Sequence, residues 1–112
     1  MLHDWQKCVV NRQAPILKTV EIIDKSGIQI ALVVDEQDGF LGVVTDGDVR
    51  RGILKGFRLE DPVELIMNKN PMTASVLQSR SAVFSLMREH GLRQVPLLDR
   101  SNRLMGVEVF SE

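Results

Sequence analysis

The stretch KSGIQIALVVDEQDGFLGVV, residues 25–44, decides the fold, because EHGLRQVPLLDRSNRLMGVE, residues 89–108, repeats its pattern without a gap. Gly27 meets Gly91, 64 residues later, and the same offset carries Asp35 onto Asp99, Gly42 onto Gly106 and Val43 onto Val107. The apolar positions coincide as well: Ile28 with Leu92, Val33 with Leu97, Val34 with Leu98 and Phe40 with Leu104. One offset that aligns glycines, turn acids and apolar residues together marks an internal duplication.

Each copy reads alike. In the first, Pro15 suits the opening position of a helix that bears Ile16, Leu17, Val20 and Ile23 at helical spacing and ends at Gly27. Ile30 to Val34 is a continuous, largely β-branched run, the pattern of a buried strand. Asp35 to Gly39 is turn chemistry, and Phe40 to Thr45 completes a hairpin, followed by a helix from about Gly47 to Lys55. In the second copy, Ser79 or Ser81 caps a helix with Val83, Phe84, Leu86 and Met87, ended by Gly91. Val95 to Leu98 and Leu104 to Val109 form the second hairpin. Between the copies, Asp61-Pro62 opens a short helix through Met67, Asn70-Pro71 breaks it, and Met72 to Ala74 enters the second copy as a strand. Met67, Met72, Met87 and Met105 read as core filler. The expected fold is α+β: two pseudo-twofold-related βαββα repeats packed through their sheets as one domain. Residues 1–60 form the first repeat, and 61–112 form the linker helix with the second repeat, which lacks its last helix.

Composition narrows the function. At 112 residues the chain has the size of one domain, and 44% apolar with 26% charged residues is ordinary for a soluble globular protein. A formal net charge of −1, no Tyr and one Trp argue against nucleic-acid binding and against an anionic membrane surface. No apolar run approaches the roughly 20 residues that span a bilayer. Cys8 stands alone, so no internal disulfide is possible and a reducing cytoplasm is the expected compartment. His3 and His90 have no ligand-like spacing to each other or to Cys8, so neither a metal site nor a nucleophile–base pair is indicated.

The pattern helix-GI-x-x-hPhhD-turn-GhhT-x-x-D-helix, used twice, resembles the tandem cystathionine-β-synthase (CBS) domain pair, or Bateman module. The first copy shows it as GIQIALVVDEQDGFLGVVTDGDVRRGILKG, the second as GLRQVPLLDRSNRLMGVEVF preceded by IMNKNPMTA, and the likeness runs from about Trp5 to Phe110. VTDGDVRRGILKG followed by PVELIMNKNPMTA is similar, more narrowly, to the N-terminal pair of bacterial sugar-phosphate nucleotidyltransferases. That likeness implies a fragment of a longer enzyme whose catalytic domain would follow Glu112, with no catalytic role for these residues.

Thr45-Asp46-Gly47-Asp48 carries the chemistry. As local structure it is a helix start, with Thr45 as cap and Asp48 at the third helical position. A helix N-terminus suits phosphate, and a carboxylate accepts hydrogen bonds from vicinal ribose hydroxyls. The resemblance assigns Thr45 to the phosphate and Asp48 to the ribose. It completes the cleft from the second copy, with Thr73 and Ala74 at base and sugar, Arg93 as a cation, and Gln94, Val95 and Pro96 along the base pocket. Arg51 is a further phosphate candidate, since the guanidinium fork matches phosphate oxygens. At the equivalent place in the second copy stand Val109 and Glu112, so one live site per chain is expected. The implied ligand is an adenosine nucleotide (AMP, ADP or ATP), with S-adenosylmethionine and guanine nucleotides left open by the residues themselves. The competing reading is a structural homodimerisation module, with apolar residues to spare on the helices carrying Val49, Ile53, Leu54 and Val83, Phe84, Met87.

Overall fold

The computed structural model describes residues 4–110. A short 3-10 turn, Trp5–Cys8, leads into β1 (Val9–Asn11), α1 (Ile16–Ser26), β2 (Ile30–Val34), β3 (Phe40–Thr45) and α2 (Asp46–Leu54). A second 3-10 turn, Val63–Leu65, lies in the linker before β4 (Ala74–Ser75), α3 (Arg80–His90), β5 (Gln94–Leu98) and β6 (Leu104–Val109). The fold is the expected α+β arrangement of two three-stranded sheets, ordered β1-β2-β3 and β4-β5-β6. In each sheet a parallel pair is followed by an antiparallel hairpin.

The duplication holds to the residue. Adding 64 to the limits of α1, β2 and β3 gives those of α3, β5 and β6. The hairpin registers match as well, from Ile30↔Thr45 and Val34↔Phe40 to Gln94↔Val109 and Leu98↔Leu104, each with its irregularity one residue before the strand end. Both helices close on a glycine in the left-handed region, Gly27 at φ 77° and Gly91 at φ 65°, which a side chain would strain. Each hairpin turn is drawn in by one carboxylate oxygen. Asp35 Oδ1 accepts from the Gln37 and Gly39 amides at 2.8 Å, and Asp99 Oδ1 from the Ser101 and Arg103 amides at 2.8 and 2.9 Å. The turns then bond each other: Phe40 N–H donates to the Asn102 carbonyl and Leu104 N–H to the Asp38 carbonyl, at 2.9 and 3.3 Å.

Strand β2 is buried throughout, which accounts for its unbroken apolar sequence. Ile30, Leu32 and Val34 face an inter-sheet core shared with Cys8, Phe40 and Val43 of the first repeat and Leu104 and Val107 of the second. Ala31 and Val33 face α1 and α2 in a separate cluster, and Val83, Met87, Val95 and Leu97 form the matching cluster under α3. Each fully buried aliphatic side chain in these layers contributes about 1.5–3 kcal/mol.

Several local expectations shift. Pro15 precedes α1 in an extended conformation (ψ 148°) instead of occupying its first turn, because it bridges to Pro62 of the linker. The linker helix expected from Asp61 to Met67 shrinks to the turn Val63–Leu65, with Pro62 as its N-cap. Its backbone is committed elsewhere: Asp61 O accepts from Ile16 N–H, and Val63 N–H donates to Ala14 O. The Asp61 carboxylate accepts from the Arg58 amide at 2.7 Å. Ser79, not Ser81, caps α3 by accepting from the Ala82 amide. Strand β4 begins at Ala74, so Met72 lies outside it, and α2 begins at Asp46, one residue early. Of the methionines read as core, Met87 is fully buried, whereas Met72 and Met105 are exposed.

Candidate functional site

Strand β3 runs directly into α2, and the junction is a reciprocal cap. Thr45 Oγ1 accepts from the Asp48 amide at 3.4 Å, while Asp48 Oδ2 accepts from the Thr45 amide at 2.9 Å and from the Thr45 hydroxyl at 3.1 Å. This satisfies backbone groups that every helix start leaves open and locks the Asp48 rotamer. The second carboxylate oxygen, Oδ1, accepts from Arg51 Nη2 at 2.9 Å. The Asp48 side chain is only 16% exposed and that of Arg51 60%, so the acid is set back and the cation stands at the rim.

Below this pair lies a hollow of about 450 Å³, walled by Asp48 and Arg51 of α2, by Lys55 and Phe57 just after it, and by Met67 and Asn68 of the linker. Its size is within the ordinary range for small-molecule sites. The linker is held there by two backbone bonds, Val43 N–H to Asn68 O at 3.0 Å and Asn68 N–H to Val43 O at 2.8 Å. Gly42 permits that approach, since a Cβ on it would collide with the Asn68 carbonyl. Arg51 and Lys55, four residues apart, both line the hollow, and Arg51 pairs with Asp48.

The residues singled out in the sequence fall in four places. Thr45, Asp48 and Arg51 come together as described. Asp46 is exposed on the first turn of α2 and borders a different hollow, with Asp24 and Gln29. Thr73 and Ala74 line a shallow groove beside Asp99 and Asn102 of the second hairpin turn, away from the Asp48 hollow. Gln94 crosses between the repeats, its amide donating to the Ile28 carbonyl, and Arg93 beside it is exposed. Val95 and Pro96, expected as an apolar pocket wall, are fully buried, Val95 in the core under α3.

The wall that forms is one the sequence reading missed: Lys55, Phe57, Met67 and Asn68. The spacing of Arg51 and Lys55, four residues apart on a helix, was the available signal for the second cation. Nothing local marked Asn68, because its place follows from pairing with β3. Among the described residues no three His, Cys, Asp or Glu side chains gather as a metal site would require, and His3 lies outside them. No helix among them is long and apolar enough to cross a membrane.

The chain is similar to known proteins over nearly all its length. It is 30% identical over 84 residues to the arabinose 5-phosphate isomerase GutQ of Salmonella typhi, a match covering 75% of this chain and 26% of that protein. It is 24% identical over 102 residues to the arabinose 5-phosphate isomerase KdsD of Francisella tularensis, covering 85% and 31%. The chain thus spans about a quarter to a third of the curated relatives it matches. Among solved structures, a CBS domain protein from Pyrobaculum aerophilum complexed with AMP superposes with a TM-score of 0.74 at 21% identity, over 90% of this chain and 78% of that one. The cytosolic domain of the Mg²⁺ channel MgtE in complex with ATP gives 0.72 at 20% identity, over 90% and 41%. The family model for the CBS domain matches twice, at residues 6–55 and 63–107, one match to each repeat. With both repeats matched and the paired sheets in place, the chain belongs to the CBS domain family.

Proposed function

We propose that this chain is a ligand-sensing regulatory module that binds one adenosine nucleotide in the hollow beside Asp48. The observation that carries the reading is the set-back Asp48 carboxylate, with Oδ2 fixed by Thr45 and Oδ1 turned to a cation at the rim of a 450 Å³ hollow. Ribose hydroxyls donate to Oδ1 in place of Arg51, and the released guanidinium takes a phosphate, joined by Lys55. Arg93 and Gln94, at the junction of the repeats, lie outside the walls of this hollow. The AMP- and ATP-bound relatives of the same fold support an adenosine ligand.

The output of such a module is a shift between two arrangements that an attached domain reads. The resemblance to sugar-phosphate nucleotidyltransferases has no counterpart among the relatives named above, which are arabinose 5-phosphate isomerases. We assign the module more broadly to the regulation of a sugar-phosphate enzyme. Thermal denaturation with AMP, ADP, ATP and S-adenosylmethionine tests the reading. An upward shift with an adenine nucleotide that is lost in Arg51→Ala supports it, and no shift with any of them at millimolar concentration contradicts it.

A second reading, a homodimerisation module, rests on Ile53 and Leu54 of α2, 49% and 80% exposed. Val49, Val83 and Met87 are buried within their own repeats and so are not available to a dimer face. A stable dimer by light scattering that Leu54→Glu converts to a monomer supports this role.

A further inference from the structure

The interface between the repeats is pinned at its two ends in different ways. At the strand ends the hairpin turns pair through their backbones. Phe40 N–H donates to Asn102 O and Leu104 N–H to Asp38 O, and the Asn102 side-chain amide adds a bond to Phe40 O at 3.1 Å. At the strand starts the crossing is made by a side chain: the amide of Gln94, in β5, donates to the Ile28 carbonyl just before β2. Gln94 stands where the first repeat has Ile30, which is buried in the inter-sheet core. Val95 and Leu97 face α3, so the alternation along β5 turns Gln94 to the inter-sheet side.

The backbone that Gln94 grips is strained. Among the described residues, three other than glycine have φ in the left-handed region: Gln29 at 63°, Asp38 at 64° and Asn102 at 63°. Asp38 and Asn102 are counterparts in the duplication and belong to the residue types that tolerate this conformation. Gln29 has neither excuse, since its counterpart Arg93 is not among the three. The side chain of Gln29 is exposed, so its own burial does not impose the conformation. The carbonyl that Gln94 holds belongs to the peptide between Ile28 and Gln29, so the outlier and the cross-repeat bond share one peptide unit.

We propose that Gln94 and the Ile28–Gln29 peptide form a strained latch, and that its release opens the repeats at the strand starts about the paired turns. The latch lies at the same end of the sheet as the α2 cap, because Ile30 pairs with Thr45. Opening there supplies the second arrangement that a regulatory module needs. The latch forms from contacts apart from the Asp48 hollow, and so exists whether or not that hollow takes a nucleotide.

Two readouts on the full chain test the latch. By NMR, Gln29 shows the strong intraresidue amide-to-Hα contact of a left-handed residue, and Gln94→Ala removes it as the peptide relaxes. Cys8 reports the opening, since it is buried in the inter-sheet core with Ile28 and Ile30. Thiol labelling under native conditions quickens about fivefold or more in Gln94→Ala, the population change expected for one lost hydrogen bond. Gln29→Gly slows labelling, because glycine holds the left-handed region without strain, and it has no such effect on top of Gln94→Ala. Ser79→Ala, which weakens the α3 cap instead, controls for a general loss of stability. A left-handed Gln29 in Gln94→Ala, or labelling that stays at the original rate or rises as much in Ser79→Ala, overturns the proposal.

Discussion

Arg51 donates to Asp48 Oδ1 at 2.9 Å from one turn along the same helix, so a ribose hydroxyl that takes this oxygen shares it with a cation or displaces one. The exchange costs little, because Arg51 stands 60% exposed at the rim and ion pairs at this helical spacing contribute about 1 kcal/mol or less. Arg51→Ala is therefore expected to change folding stability by less than about 0.5 kcal/mol in urea denaturation. The same substitution weakens binding of a nucleotide through its phosphate. A loss of stability that accounts for the whole binding defect contradicts this.

Thr45 caps α2, and its substitution measures what that cap contributes to stability. Thr45→Ala removes the hydroxyl that caps α2, at a cost of about 1 kcal/mol. Thr45→Ser keeps that oxygen and restores most of the loss. Equal destabilisation by alanine and serine in urea titrations runs against the capping role.

Gly42 holds the linker against β3. Gly42→Ala drives a methyl into the Asn68 carbonyl and is expected to cost about 1–3 kcal/mol, the usual range for overpacking. Exchange of the Val43 and Asn68 amides, measured by NMR, accelerates with it. Unchanged protection of both amides contradicts the placement of the linker.

Two amide hydrogen bonds, from Gln37 and Gly39, hold the Asp35 carboxyl below its usual range. Because the folded value is the lower one, the unfolded state binds more protons between the two values, and stability rises with pH there. The contribution is present above the unfolded value, about 3.9, and is lost as pH falls through the folded one. Asp35→Asn is therefore expected to flatten the acid limb of the stability profile below about pH 4. An unaltered acid limb rules out this assignment.

Cys8 lies in the inter-sheet core, and burial pushes its thiol up, only partly opposed by a hydrogen bond with Ser26. Alkylation at neutral pH should be negligible in buffer and rapid in denaturant, as mass spectrometry would show. Fast labelling of the folded chain contradicts the packing of Trp5–Cys8 against the sheets.

Most of the fold was legible because the duplication was. Gly27 and Gly91, Asp35 and Asp99, and the apolar runs each state the same local structure twice, and two agreeing copies remove the usual doubt about element limits. What escaped was whatever long-range pairing decides. Strand β1 holds three residues, too few for a pattern, and exists because β2 offers an edge, while β4, expected at Met72 to Ala74, forms at Ala74–Ser75 where it pairs with β5. Pro15 and Pro62 carry strong helix-start signals, yet each is extended because the linker crosses α1. The core of the candidate site, Thr45 with Asp48, was readable as a spacing of three at a helix start. Its wall was not: Val95 and Pro96 sit on a strand buried on both faces, while Asn68 is brought in by a bridge to Val43 from 25 residues away.

Isothermal calorimetry of an adenine nucleotide into the chain and into Asp48→Ala, each shown to be folded by circular dichroism, tests the central claim most directly. The account predicts one saturable site per chain, because Val109 stands in the second repeat where Thr45 stands in the first, and loss of that site in the variant. Two equivalent sites, or binding that survives Asp48→Ala, would contradict it.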